Sequence, residues 1–172
     1  MYYFLIGFMG SGKSFLGKKI SEEENIQFID LDKYIEEKEK KEISQIFNCF
    51  GEDKFRHLEE KYLYEIIEKT NAKNNIILIA CGGGTPIYNN LIDKINNIGV
   101  SIYLESSADM LFDRLKEEKT ARPLISYLKN NDLRKFIDDS LQKREKIYKR
   151  SKYIIQTKDE NKTIDKLKEI LR

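Results

Sequence analysis

The segment Gly7-Phe-Met-Gly10-Ser11-Gly12-Lys13-Ser14 has the spacing GxxxxGK[ST]. Glycines at these positions let backbone N–H groups turn inward around phosphate oxygens, where side chains would collide. Lys13 is placed to reach the terminal phosphates of a nucleotide, and the Ser14 hydroxyl to ligate Mg2+. A strand-like apolar run precedes the motif and an amphipathic segment follows, so a helix N-terminus adds partial positive charge. That context favours a phosphate cradle over an accidental glycine-rich turn.

Further patterns bear on the acceptor. Asp30 and Asp32 close the apolar run Phe28-Ile-Asp-Leu-Asp. Residues two apart on a strand share a face, so both carboxylates are expected to point toward the phosphate loop. One suits a hydrated Mg2+ and the other a hydroxyl proton, with capping of the next helix as the plainer role. In GEDKFRHLEEKYLYEII, residues Phe55, Leu58, Tyr62, Leu63, Ile66 and Ile67 form a stripe at about 100° per residue. Glu59 falls near its middle and Arg56 at its edge, which suggests an inward Arg–Glu pair rather than an exposed one. In DLRKFIDDSLQKREKIYKR, residues Leu133, Phe136, Ile137, Leu141, Ile147 and Tyr148 form the stripe. Arg144 lies within about 20° of its centre. An inward guanidinium needs an anionic partner or a polar cavity unless it snorkels outward. Two of them suggest a small acidic substrate.

Cys81-Gly82-Gly83-Gly84 ends a strand of the buried type. Strand carboxyl ends face the ligand crevice of an open α/β sheet, so three glycines there allow backbone close to a bound molecule, a plain turn being the alternative. Arg122 lies in the polar stretch KEEKTARPLISYL. It is either a surface arginine or a lid arginine that closes over a transferring phosphoryl group. His57 is the only histidine and is expected to be structural or exposed. Cys49 and Cys81 make neither a metal site nor a disulfide framework, which suggests a reducing compartment.

These residues need elements to position them. Strand-like runs occur at Tyr2–Phe8, Ile26–Leu31, Ile76–Cys81, Val100–Leu104 and Tyr153–Thr157. Helix-period segments fall at about Lys13–Glu24, Ile43–Lys69, Pro86–Asn97, Ala108–Glu118, Asp132–Arg150 and Thr163–Leu171. The alternation predicts an α/β fold with a parallel sheet covered on both faces. A helical region from Lys33 to Lys69, broken by Gly51, interrupts the rhythm, and its part Lys33–Lys41 is expected to be a solvated helix surface. With 172 residues the chain is about one domain long. Its net charge of +2 argues for neither nucleic acid nor a membrane surface as partner. No apolar run has the length of a membrane span, and MYYFLIGF lacks the basic start of a signal peptide, so a cytoplasmic protein is expected.

Together GFMGSGKS, FIDLD, IFNCFGEDKFRHLE, CGGG, ARPL and the arginine of REKIY resemble the shikimate kinase family, in order and across essentially the whole chain. The resemblance implies a three-layer P-loop kinase, akin to nucleoside monophosphate kinases, with a five-stranded parallel sheet in the order 2-3-1-4-5. One domain, 1–172, would comprise a core (1–32, 70–112 and 126–172), a substrate-binding insertion (about 33–69) and a lid (about 113–125). The implied reaction is ATP- and Mg2+-dependent phosphorylation of the 3-hydroxyl of shikimate, a step toward chorismate and the aromatic amino acids. Gly10, Ser11, Gly12, Lys13 and Ser14 would hold ATP, with Phe15, Arg114 and Arg122 completing that set. Ser14 would ligate the metal directly and Asp30 through water. Asp32 would hydrogen-bond the shikimate hydroxyls and orient or deprotonate the attacking one, with Lys13 and Arg122 as the other catalytic groups. Arg56 and Arg144 would clamp the substrate carboxylate, Glu59 would buttress Arg56, and Gly82, Gly83, Gly84, Phe47 and Phe55 would line the pocket. ATP and shikimate are the expected partners of a monomer.

The chain departs from the family at Phe15, where threonine is common, and at Cys81, where a small hydroxyl residue or alanine is usual. The stretch IIQTKDENKT lacks the usual Asp-Thr pair and a later proline. Three other readings are weighed against this one. A P-loop kinase of another hydroxy acid, such as gluconate, differs only in acceptor. A GTPase-like switch needs NKxD and DxxG patterns that the chain lacks, Asn161-Lys-Thr-Ile-Asp165 having the wrong spacing. A silent binding module is disfavoured by intact Lys13, Ser14, Asp30, Asp32 and Arg122.

Overall fold

The structure, a computed structural model, describes residues 1–70, 75–119 and 122–172. Five short, almost wholly apolar runs form the strands β1 (Tyr2–Ile6), β2 (Gln27–Asp30), β3 (Ile77–Ala80), β4 (Val100–Glu105) and β5 (Tyr153–Gln156). They pair in parallel in the order β2-β3-β1-β4-β5, with Leu5 of β1 opposite Ala80 on one side and Ile102 on the other. Continuous apolar character is what a parallel sheet covered on both faces requires. The period of two divides it: Phe4 and Ile6 enter one core, and Tyr3 and Leu5 the other.

Helices α1 (Lys13–Glu24) and α7 (Glu160–Leu171) close one face through Leu16, Ile20, Ile164, Leu167 and Leu171. The other face is covered by α2 (Leu31–Glu39), α3 (Ile43–Lys69), α4 (Leu91–Ile98), α5 (Ala108–Glu118) and α6 (Asn130–Tyr148). The three layers and the strand order are those expected from the sequence.

Several boundaries differ, for local reasons. The expected helix from Pro86 begins only at Leu91, after a single 3-10 turn at Tyr88–Asn90, because Asn89 and Asn90 take positive φ. α7 begins three residues early because the Asp159 side chain accepts a bond from the Lys162 amide at 3.0 Å and caps it. α6 is shifted two residues toward the N-terminus of its expected span. The insertion is two helices, and α3 bends at Gly51 (φ 78°, ψ 175°) as expected. Lys33–Lys41 is not wholly solvated, since Ile35 within it is buried. Of the expected lid, Asp113–Glu118 belongs to α5, Thr120 and Ala121 lie outside the described residues, and turns follow up to Tyr127.

Candidate active site

Every expected site residue except the fully buried Glu59 lines one of two clefts at the carboxyl end of the sheet, where loops follow β1, β2 and β3. After β1 the chain turns through Gly10 (φ 80°) and Gly12 (φ 91°), a backbone that L side chains rarely adopt. Gly12 caps α1 without a side chain, leaving the first helical amides to an anion. Lys13 is buried against the same loop, its Nζ donating to the carbonyls of Gly7 at 2.8 Å and Phe8 at 2.9 Å. Burial lowers its pKa to about 8, against the opposing pull of Asp32. Arg114 braces the loop from α5, with Nη1 donating to the Gly10 carbonyl at 2.9 Å.

These groups line a cleft of about 730 Å3 that also contains Ser11, Ser14, Phe15 and Asp30. Phe15 is 59% exposed, so its side chain borders the cleft and does not pack in the core. Its departure from the family is therefore a matter of the cleft wall.

Asp30 and Asp32 both reach this cleft, but not as two residues of one strand. β2 ends at Asp30, and Asp32 lies in the first turn of α2. The Asp30 side chain is the cap, its Oδ1 accepting from the amides of Asp32 at 3.1 Å and Lys33 at 3.3 Å. Capping and cleft lining are thus compatible roles of one carboxylate. Oδ1 of Asp32 is enclosed and has no hydrogen-bond partner. Burial, with the nearby charges of Glu59 and Asp30, pushes the Asp32 carboxyl up to about 7, although Lys13 and Arg56 pull it down. A carboxylate near neutrality is suited to exchange a proton with a hydroxyl.

A second compartment, of about 280 Å3, adjoins the first. Its walls include Phe47 and Phe55, with ring centroids 4.8 Å apart, together with Arg56, Gly84 and Arg144. Met9, Asp32, Gly82, Gly83 and Arg122 line both spaces and therefore mark where they meet. Arg56 is buried as expected, its Nη1 donating to Oε2 of fully buried Glu59 at 2.6 Å. Burial raises the Glu59 pKa, while Arg56 and Thr85 oppose that shift. Arg144 points inward too: its guanidinium lies 5.5 Å from the Phe8 ring centroid, and Nη1 is enclosed without a partner. A guanidinium nitrogen and a carboxylate oxygen without partners, on two residues that line the same compartment, give the polarity that a hydroxy acid would satisfy.

The glycine triplet has a reason that its sequence position did not reveal. A Cβ on Gly82 would lie 2.0 Å from Oε1 of Glu59, and one on Gly84 would lie 2.2 Å from Cζ of Arg56. These two glycines make room for the buried ion pair, and Gly83 is the one that lines the junction without such a clash. Arg122 borders both compartments, with Nη2 bonded to Oε2 of Glu118 at 2.8 Å. His57 is exposed, Cys49 is exposed, and Cys81 is buried at the cleft wall with burial raising its thiol pKa.

Two compartments, a phosphate loop and an acid clamp in one chain agree with what comparison with known proteins finds. The sequence profile of shikimate kinase matches residues 9–172. The chain belongs to the shikimate kinase family. Its reaction is accordingly phosphoryl transfer from ATP to shikimate. It is 40% identical to the shikimate kinase of Azobacteroides pseudotrichonymphae over 151 residues, 88% of this chain and 86% of that one. The crystal structure of shikimate kinase from Bacteroides thetaiotaomicron superposes with a TM-score of 0.88 at 34% identity, covering 99% of this chain and 98% of that one. Shikimate kinase from Acinetobacter baumannii, solved in complex with shikimate, superposes with a TM-score of 0.84 at 27% identity over 99% of this chain and 90% of that one. Among the described residues, no helix is long and apolar enough to cross a membrane.

Three residues that brace the walls of the two compartments escape the sequence reading. Oε1 of Glu52 accepts from Nη2 of Arg56 at 2.7 Å and from Nε at 3.2 Å, a second brace legible only as an i,i+4 spacing. Thr85 Oγ1 donates to Glu59 Oε1 at 2.5 Å, and Tyr148 Oη donates to the Gly83 carbonyl at 2.5 Å. Neither of these two contacts has a local sequence signal, because the partners are far apart in the chain.

Proposed function

We propose that ATP occupies the larger compartment, shikimate the smaller, and that the phosphoryl group passes where the two spaces meet. The observation that carries this assignment is the set of residues common to both, which includes Asp32 and Arg122. Gly10, Ser11, Gly12 and Ser14 hold the phosphates, flanked by Phe15 and Arg114. Arg56 and Arg144 clamp the carboxylate, braced by Glu59, with Phe47, Phe55 and the glycine turn Gly82–Gly84 against the ring. That orientation brings the 3-hydroxyl to Asp32. Asp32 takes the hydroxyl proton as the oxygen bonds to the γ-phosphorus, and the bond to the bridging oxygen of ADP breaks. Lys13 and Arg122 offset the charge that develops on the transferring group.

The donors fit Mg2+. Among the described residues no three acidic, histidine or cysteine side chains gather as a metal cage, whereas Ser14 and Asp30 offer oxygen atoms to the cleft. Such a sparse set suits a cation that keeps waters and binds phosphates, with Ser14 as direct ligand and Asp30 acting through water. When bound, the ion would neutralise phosphate charge.

One domain containing both compartments supports a monomer, with α2 and α3 as the substrate-binding insertion and the segment around Arg122 as the lid. The near-neutral net charge of +2 supports an enzyme without nucleic acid or membrane-surface partners, and a cytoplasmic location is proposed with it. The test is a coupled ADP-release assay with shikimate, gluconate and no acceptor. Turnover should depend on shikimate and Mg2+, and Arg144→Ala should raise the shikimate KM about tenfold or more while sparing the ATP KM. Equal stimulation by gluconate would shift the acceptor assignment to another hydroxy acid.

A further inference from the structure

Arg144 is held by no hydrogen bond at its enclosed Nη1, so something else must fix where that nitrogen stands. Its helix does so, and α6 meets the glycine turn at one point. Tyr148, the last residue of α6 and one turn beyond Arg144, is fully buried. Its hydroxyl donates to the Gly83 carbonyl at 2.5 Å, and its ring lies against Tyr103 of β4 with centroids 5.1 Å apart. Spacing of four puts Arg144 and Tyr148 on one face of the helix. Arg144 Nη1 in turn lies 3.8 Å from where a Cβ of Gly83 would stand. The Tyr148 hydroxyl thus ties α6 to the Gly83 carbonyl at the junction of the compartments, and the Arg144 guanidinium stands beside that same glycine.

We infer that Tyr148 is a positioning residue for the acceptor: its hydroxyl sets the distance between Gly83 and Arg144, and so the geometry of the carboxylate clamp. This rests on the proposed role of Arg144 as a carboxylate ligand. Burial pushes the phenol up to about 12, against the pull of Arg144, so the group remains a donor throughout the neutral range. The role is separable from folding. The same end of α6 is held independently, by Arg150 bonded to Asp93 and to Asn90, and by the Asn96 amide on the Arg150 carbonyl at 2.9 Å. Tyr148→Phe keeps the ring contact and removes only the hydroxyl.

The experiment measures shikimate and ATP kinetics for Tyr148→Phe, Arg144→Ala and the double variant, below the melting temperature of each. Tyr148→Phe should raise the shikimate KM about five- to tenfold with the ATP KM unchanged. In the Arg144→Ala background the same substitution should have an effect below about twofold, because the group it positions is gone. An unchanged shikimate KM, a parallel rise in both KM values, or a full effect in the Arg144→Ala background overturns the inference. If Arg144→Ala alone leaves the shikimate KM unchanged, the clamp assignment itself falls, a result distinct from a Tyr148 effect that is merely absent.

Discussion

Gly84→Ala is a small perturbation with a calculable geometric consequence. The added Cβ would stand 2.2 Å from Arg56 Cζ, 2.4 Å from Nη1 and 2.6 Å from Nε. Ordinary contact begins near 3.4 Å, so the guanidinium must withdraw by about 1.2 Å. Its bond to Glu59 is 2.6 Å and that to Glu52 is 2.7 Å, and a shift of this size takes the group out of register with both braces. The displaced atoms are the far end of a flexible side chain, so the fold should survive at an overpacking cost of about 1–3 kcal/mol. Losing one charge-assisted bond to the acceptor carboxylate costs about 1.5–3 kcal/mol, or about ten- to a hundredfold in shikimate KM. The check is coupled ADP release, with shikimate varied at saturating ATP and then the reverse, alongside a thermal melt. An unchanged shikimate KM, or an ATP KM that rises in step, would refute the claim that Gly84 exists to seat Arg56.

Asp32→Asn should change stability with pH in a defined direction, read from melts of the ligand-free protein in chelator. The folded pKa of about 7 lies above the unfolded value, so burying the protonated acid stabilises at low pH and that contribution is lost as pH rises toward 7. The variant should match the parent near pH 4 and melt higher above pH 7; a difference that does not vary with pH contradicts the assigned burial. Thr85→Val removes the hydroxyl donor to the buried Glu59 carboxylate and should cost about 1.5–3 kcal/mol in denaturant unfolding. A loss below about 0.5 kcal/mol would show that bond to be dispensable. Phe15→Ser changes an exposed side chain, so its stability should stay within about 0.5 kcal/mol and its shikimate KM should not move. A shikimate KM effect there would mean that the two compartments communicate through the cleft wall.

Much of the site is visible in the chain before folding because its signals are local. The phosphate loop is contiguous, so its spacing alone states which atoms surround an anion. The inward direction of Arg56, Glu59 and Arg144 follows from helical periodicity, which needs only neighbours within a few turns. The strand order was implied by family resemblance, and periodicity by itself reached only a parallel sheet. Asp30 and Asp32 show where local reasoning falls short. Both do face the cleft, but the chain switches from strand to helix between them, and the switch is stabilised by Asp30 capping the helix that holds Asp32.

By itself, then, the sequence determined the phosphate cradle, the inward charges and the alternating elements, since each depends on the spacing of near neighbours. Only the tertiary structure decided what those charges meet: Glu59 with Thr85, Tyr148 with Gly83, and the meeting of two compartments at Asp32 and Arg122. It also decided why two glycines follow β3, because their missing side chains are the space that Glu59 and Arg56 fill. Such contacts join residues tens of positions apart, and no periodicity along a chain encodes which distant helix will arrive there.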